Sequence, residues 1–267
     1  MSNYWSARFE EQHKILFDLT YEETMSILER YYIKALEDTR TDALKLYSYL
    51  LEHSGTGKVI ASDLYKYNRY YELSNKLNER LVGLGSKEIK VFDKELLAMY
   101  DRVQKELTQY AGGLFQFSQV DPNRAQEVIN SIWCADGKNW SDRIWTHKDQ
   151  LRETVMDGLM DCVNRGTGSD TLANTLVQRF DVSYGQAKTL ARTELSHVQV
   201  QSQIDKYKVS GVERVQFSAV MDDRTSEICQ ELNGTIIDIN EIEEGVNAPL
   251  MHVNCRSTLV PIFADDK

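Results

Sequence analysis

Proline and glycine are scarce in this chain, at three and fourteen of 267 residues. That scarcity leaves room for long uninterrupted helices and argues against an all-β fold, whose turns consume both residues. Four cysteines, Cys134, Cys162, Cys229 and Cys255, are too few and too scattered for a disulfide framework. No apolar run approaches membrane-spanning length, and the opening Met1-Ser2-Asn3-Tyr4-Trp5 lacks the basic-then-apolar pattern of a signal peptide. Synthesis in a reducing cytoplasm is the expectation. Positive charge is also in short supply: the formal net charge is -10. Between Val212 and Lys267 four Lys or Arg stand against eleven Asp or Glu. Nonspecific attraction to nucleic acid is therefore not the expected main activity.

What is present, at 42% hydrophobic and 27% charged, suits a soluble globular protein of one large or two ordinary domains. Thr20-Tyr21-Glu22-Glu23 has the form of a capping box. Behind it Ile27, Leu28, Tyr31, Ala35 and Leu36 recur at helical spacing, and Leu46, Leu50 and Leu51 extend the face as far as Gly55-Thr56-Gly57. A second helix is predicted from Ser62 to Leu81, ending before Gly83 and Gly85. A third runs from Lys87 to Tyr110 with Phe92, Leu96, Met99, Val103 and Leu107 in one stripe, stopped by Gly112-Gly113. Tyr65, Tyr67, Tyr70 and Tyr71 read as boundary tyrosines of helix packing. Gly55 to Lys58 lacks the glycine spacing of a phosphate loop.

After a turn at Asp136-Gly137, Ser141 is the predicted N-cap of a helix to Asn164, with Trp133, Trp140 and Trp145 as packing anchors. Gly166-Thr167-Gly168 is a hinge. Ser169 or Asp170 then caps a helix to Phe180, and Ser183 caps another to Lys208, stopped by Gly211. From there the period becomes two: Val215, Phe217 and Ala219 mark a strand, Thr235–Ile239 and Ser257–Val260 two more. Thr225–Leu232 reads as a short helix capped by Asp222 or Asp223. The expected fold class is α+β, a mostly α-helical N-terminal region (1–165) followed by a small α+β C-terminal domain (166–267) with a short antiparallel sheet.

Candidate chemistry gathers near the C-terminus. Cys229, His252 and Cys255, with Asp222 or Asp223 as a fourth ligand, are a thiolate, imidazole and carboxylate set of the kind zinc takes. The set is incomplete, because no Cys-x-x-Cys pair is present. A Cys–His nucleophile is the second possibility, without any oxyanion-hole signature to support it. The favoured reading is structural, with cysteines packing as small apolar groups and His252 and Arg256 donating to loop carbonyls. Arg192 and Glu194 lie two apart on one helix, so one is expected to be solvated and the other buried against Asp222, Asp223 or Arg224. Lys87, Lys90, Lys94, Arg102 and Lys105 are the candidates for direct DNA contact, a reading ranked last.

Six motifs occur in order: Trp140-Ser141-Asp142-Arg143-Ile144, Gly166-x-Gly168-Ser169, Ala191-Arg192-Thr193-Glu194, Asp222-x-Arg224-Thr225-x-x-x-Cys229, Leu232-Asn233-Gly234, and His252-x-Asn254-Cys255-Arg256. From about Trp140 to Leu259 the chain resembles the phage head morphogenesis family, the Mu F-like minor head proteins. The resemblance implies a minor head (capsid) protein of a tailed phage or prophage, associated with the portal and the procapsid interior. Head assembly, and with it DNA packaging or ejection, would be its role. Portal, coat or scaffold proteins would be its partners, and the virion or procapsid, with the bacterial host cytoplasm during assembly, its location. It implies no catalytic residue and no cofactor. The positions that match the shared motif are Arg192, Thr193, Glu194, Asp222, Arg224, Thr225, Cys229, Gly234, His252, Cys255 and Arg256. Many relatives of that family have cysteine where this chain has Ser226 and Ser257; if the full set binds metal in them, this chain has lost two ligands, which argues against zinc. The alternative is an effector, enzyme or zinc-binding domain, whose activity would reside in the Cys229/His252/Cys255 cluster.

Overall fold

A computed structural model describes residues 2–55, 57–59, 62, 64, 68–110, 121–134 and 136–263. Long helices dominate. They are α1 (Ser2–His53), α2 (Arg69–Tyr110), the short α3 (Pro122–Ile129), α4 (Trp140–Asn164) and α5 (Ser169–Val209). The C-terminal part adds β1 (Arg214–Ser218), α6 (Glu227–Leu232), β2 (Ile236–Asp238) and β3 (Thr258–Ile262). The expected class, mostly helical with a small antiparallel sheet at the C-terminal end, is what the structure has.

The helices are longer than local signals predict. Thr20 is not an N-cap: it sits inside α1, fully buried, and its hydroxyl donates to the Leu16 carbonyl at 3.0 Å. A threonine that satisfies its own hydroxyl one turn back is tolerated in a helix interior. Gly83 and Gly85 do not end a helix either, because α2 runs through both. At Gly85 an added Cβ would lie 2.7 Å from Cζ3 of Trp145, so this glycine permits the close approach of α4. Ser183 likewise lies buried within a continuous 41-residue α5, where a helix start was expected. At α4 the N-cap is Asn139, with Asp142 completing a capping box, in place of Ser141. Gly55, Gly57, Gly166 and Gly211 do stand at chain breaks with positive φ. Tyr65, Tyr67 and Gly112-Gly113 lie outside the described residues, as does most of the start of the helix expected from Ser62.

The chain forms two compact units, each assembled from segments far apart in sequence. One comprises Met25–Val91 and Lys138–Lys188. Its core is aliphatic, with Leu46, Leu50, Leu77, Leu81, Leu151, Leu159, Leu172 and Leu176 among its buried members. Inside it Lys148 lies 2.6 Å from Glu88, both buried, and Tyr32 donates to the same carboxylate at 3.1 Å. Burial and the adjacent carboxylate hold the Tyr32 phenol protonated, well above its usual range.

The other unit comprises Met1–Thr24, Phe92–Gly137 and Thr189–Lys267. Its sheet has the order β2-β1-β3, antiparallel throughout, with Val215 opposite Ile237 on one side and Pro261 on the other. The period-two pattern puts Val215 and Phe217 on a fully buried face. Tyr207 of α5, also fully buried, donates to the Leu259 carbonyl of β3 and meets Phe9 of α1 edge-on. His13 of α1 completes the tie. Gln203 reaches its Nδ1 at 3.1 Å, and Thr258 of β3 donates to Gln203 and lies 3.0 Å from the same nitrogen. Desolvation lowers the His13 pKa from 6.5 to about 4, so the imidazole is neutral at physiological pH.

Two measurements check this description. Gly83 faces open space, whereas a Cβ on Gly158 of α4 would meet Thr175 Cγ2 at 2.7 Å. In chemical denaturation Gly83→Ala should gain about 0.5–1 kcal/mol, and Gly158→Ala should lose about 1–3 kcal/mol. The His13 pKa is depressed on folding, so its contribution is present above pH 6.5 and is lost as pH falls through about 4. Stability should therefore drop by about 3 kcal/mol between those values on account of His13. His13→Gln should remove that part of the slope and leave any part due to His147, lowered to about 4 by the same kind of burial.

Candidate functional site

The motif residues of the C-terminal region converge on one network. The chain leaving β1 turns sharply at Asp222-Asp223-Arg224-Thr225. The Asp222 carboxylate accepts from the Arg224 amide at 2.9 Å, Thr225 Oγ1 accepts from the Asp222 amide at 2.9 Å, and the Thr225 hydroxyl donates to the Val220 carbonyl. This turn is not the cap of α6, as expected; Ser226 is the N-cap residue, without a side-chain cap bond. Asp222 instead takes both terminal nitrogens of Arg256, at 2.7 and 2.5 Å, in a two-pronged pair. The Arg256 guanidinium, helped by the Arg224 amide, holds the Asp222 carboxyl well below the usual carboxylate range.

Arg256 directly follows Cys255, so the pair fastens the 219–226 loop beside the cysteine cluster. Cys229, in the first turn of α6, is 2% exposed and Cys255 is 1% exposed. Their sulfurs are 3.8 Å apart, and Cys229 Sγ is 3.3 Å from His252 Nε2. Ser226 Oγ lies 2.8 Å from the same nitrogen, and the other ring nitrogen, Nδ1, lies 2.9 Å from the Val253 carbonyl. A carbonyl can only accept, so Nδ1 carries the proton and Nε2 turns a lone pair toward the serine and the sulfurs. Burial pushes the Cys255 thiol upward. That shift runs against a thiolate nucleophile, which needs a depressed pKa.

The loop carrying His252 is held to α5. The Cys255 amide donates to the His252 carbonyl at 3.1 Å, Asn254 adopts a φ of 61°, and its amide donates to Thr193 Oγ1 at 3.3 Å. Thr193 in turn donates to the Thr189 carbonyl. Gly234, at φ 85°, closes the turn before β2 by donating to the Phe217 carbonyl at 2.8 Å, a conformation only glycine adopts without strain.

Arg192 and Glu194 do divide into an accessible and a buried member, but with other partners than expected. Arg192 lies over the Tyr21 ring at 4.6 Å, a cation–π contact, and Glu194 is buried and accepts from the Trp133 indole at 3.2 Å. Trp133 stacks on His197, whose Nδ1 is 2.7 Å from Glu244 and whose Nε2 is 3.1 Å from Ser131. This Ser131–His197–Glu244 series escaped sequence reasoning, because no spacing links residues so far apart. It has the order of a hydrolase triad, yet the Ser131 hydroxyl donates to the Val128 carbonyl at 2.8 Å and the imidazole is covered by Trp133. It ties the loop bearing Glu244 to α5. Of the proposed DNA contacts, Lys94 pairs with Glu95, Arg102 with Glu23, and Lys87 lies over Tyr31.

The C-terminal part of the chain is thus a sheet-and-helix module fastened by a Cys/His/Asp/Arg network. Residues 153–260 match the family described as Phage Mu protein F like protein. Every motif residue from Arg192 to Arg256 falls inside the match. A protein of Enterococcus faecalis (strain ATCC 700802 / V583), named NAD(+)--arginine ADP-ribosyltransferase EFV, is 23% identical over 278 residues. The match covers 96% of this chain and 54% of that protein, so the chain spans about half the length of this relative. No solved structure matches. Among the described residues no helix is long and apolar enough to cross a membrane.

Proposed function

We propose that this chain is a minor head protein of a tailed phage or prophage that associates with the portal and the procapsid interior and acts in head assembly. The observation that carries the proposal is the coincidence of the family match at 153–260 with the hydrogen-bonded network built from its motif residues. A module whose polar residues are engaged with one another is suited to holding a shape against a partner. The strongly acidic stretch from Val212 onward suits a partner with a basic surface better than it suits DNA. Val220, Met221, Ile228 and Val253 are exposed beside the network and supply apolar contact area. The helices of residues 1–165 are the proposed arm for portal or capsid contact.

The Enterococcus faecalis relative raises a second reading, an ADP-ribose-transferring effector. Since the match covers 54% of that protein, the activity in its name need not reside in the part matched here. One comparison separates the two readings. Expressed with the head genes of its phage, the full chain should copurify with portal-containing procapsids and should transfer no label from NAD+ to an arginine acceptor. Free protein with no procapsid association would sink the assembly reading, and label transfer would favour the effector.

A further inference from the structure

We infer that Cys229, His252 and Cys255 bind a thiophilic divalent cation, Zn²⁺ foremost, which clamps α6 to the 252–255 loop. The donor atoms of the three residues all lie within 4.8 Å of one another. Zinc–sulfur bonds of about 2.3 Å and zinc–nitrogen bonds of about 2.0–2.1 Å, in tetrahedral array, set sulfur–sulfur separations of about 3.8 Å and sulfur–nitrogen separations of about 3.5 Å. The two sulfurs stand 3.8 Å apart, and Cys229 Sγ is 3.3 Å from His252 Nε2. Two of the three edges of a zinc triangle are thus already formed by side chains of this sequence.

The orientation of the imidazole is a second, independent observation. Its Nδ1–H donates to the Val253 carbonyl, which fixes the tautomer and leaves the Nε2 lone pair facing the sulfurs. A backbone acceptor on the far nitrogen is the usual support of a metal-bound histidine. Ser226 Oγ lies beside the three donors, 2.8 Å from Nε2, a hydroxyl able to hold a water against the ion. Two thiolates balance the charge of one divalent ion. Binding the ion displaces the thiol protons of Cys229 and Cys255 to solvent. The cation adds to the proposed assembly role without depending on it.

Co²⁺ is the probe. Titrated into reduced, chelator-stripped full-length protein, it should give the sulfur-to-cobalt charge-transfer band and the visible bands of tetrahedral cobalt, saturating at one ion per chain. Zn²⁺ should displace it. Cys255→Ser should abolish the charge-transfer band or weaken binding at least about tenfold. Ser226→Cys, which supplies a fourth thiolate, should tighten binding at least about tenfold while far-UV dichroism stays unchanged. This gain is measurable even where Cys255→Ser fails to fold. Absence of the band in folded, reduced wild-type protein would overturn the inference. So would a band that survives in the Cys229→Ser/Cys255→Ser double variant, or no gain in Ser226→Cys.

Discussion

The second half of α5 is surrounded on all sides, yet it is rich in polar residues. Ser196, His197, Gln199, Ser202 and Gln203 are all buried, and a buried polar group without a partner costs about 1–3 kcal/mol. Several of these groups find their partners in other parts of the chain. Gln199 and Gln203 reach His13 of α1, Ser202 donates to Tyr100 and accepts from Gln104 of α2, and His197 takes Glu244 of the C-terminal loop. The hydrogen bonds of one helix thus select which segments assemble around it. A purely apolar helix would accept many neighbours; this one accepts few.

The motif network is an extension of the same principle. Thr193 projects from α5 to hold Asn254, which positions His252 and Cys255, and Arg256 then fixes the Asp222 turn. Between β1 and β3 only a few apolar side chains, such as Ile237, Ile239 and Leu250, are buried while Val220, Met221, Ile228, Val246 and Val253 are exposed, so polar pins supplement a small core. The exposed surface they shape carries apolar side chains and an excess of negative charge, the features a partner would meet. In this arrangement Cys229, His252 and Cys255 hold loops, and a bound cation would strengthen the same joint.

Much of this was legible in the sequence where signals are local. The period-two stretch around Val215 and Phe217 gave β1, and the crowding of Cys229, His252, Cys255 and Arg256 announced the network. Helix boundaries were not legible at Thr20, Gly83, Gly85 and Ser183, because a capping residue and a mid-helix residue look alike until the neighbours are known. Thr20 bonds back to Leu16, and Gly85 makes way for Trp145. Neither fact has a local signature. The partners of Glu194 and His197 were hidden for the same reason: Trp133, Ser131 and Glu244 meet them only through the tertiary fold.

The most direct test of α5 as the organising element is native-state hydrogen exchange on the full chain. Amides of residues 6–24 in α1, 92–107 in α2, 189–209 in α5 and the strands β1 and β3 should share one opening free energy, and Gln203→Leu should lower it for all of them together. Exchange of 166–267 as a unit of its own, unaffected in 6–24 by that substitution, would contradict it.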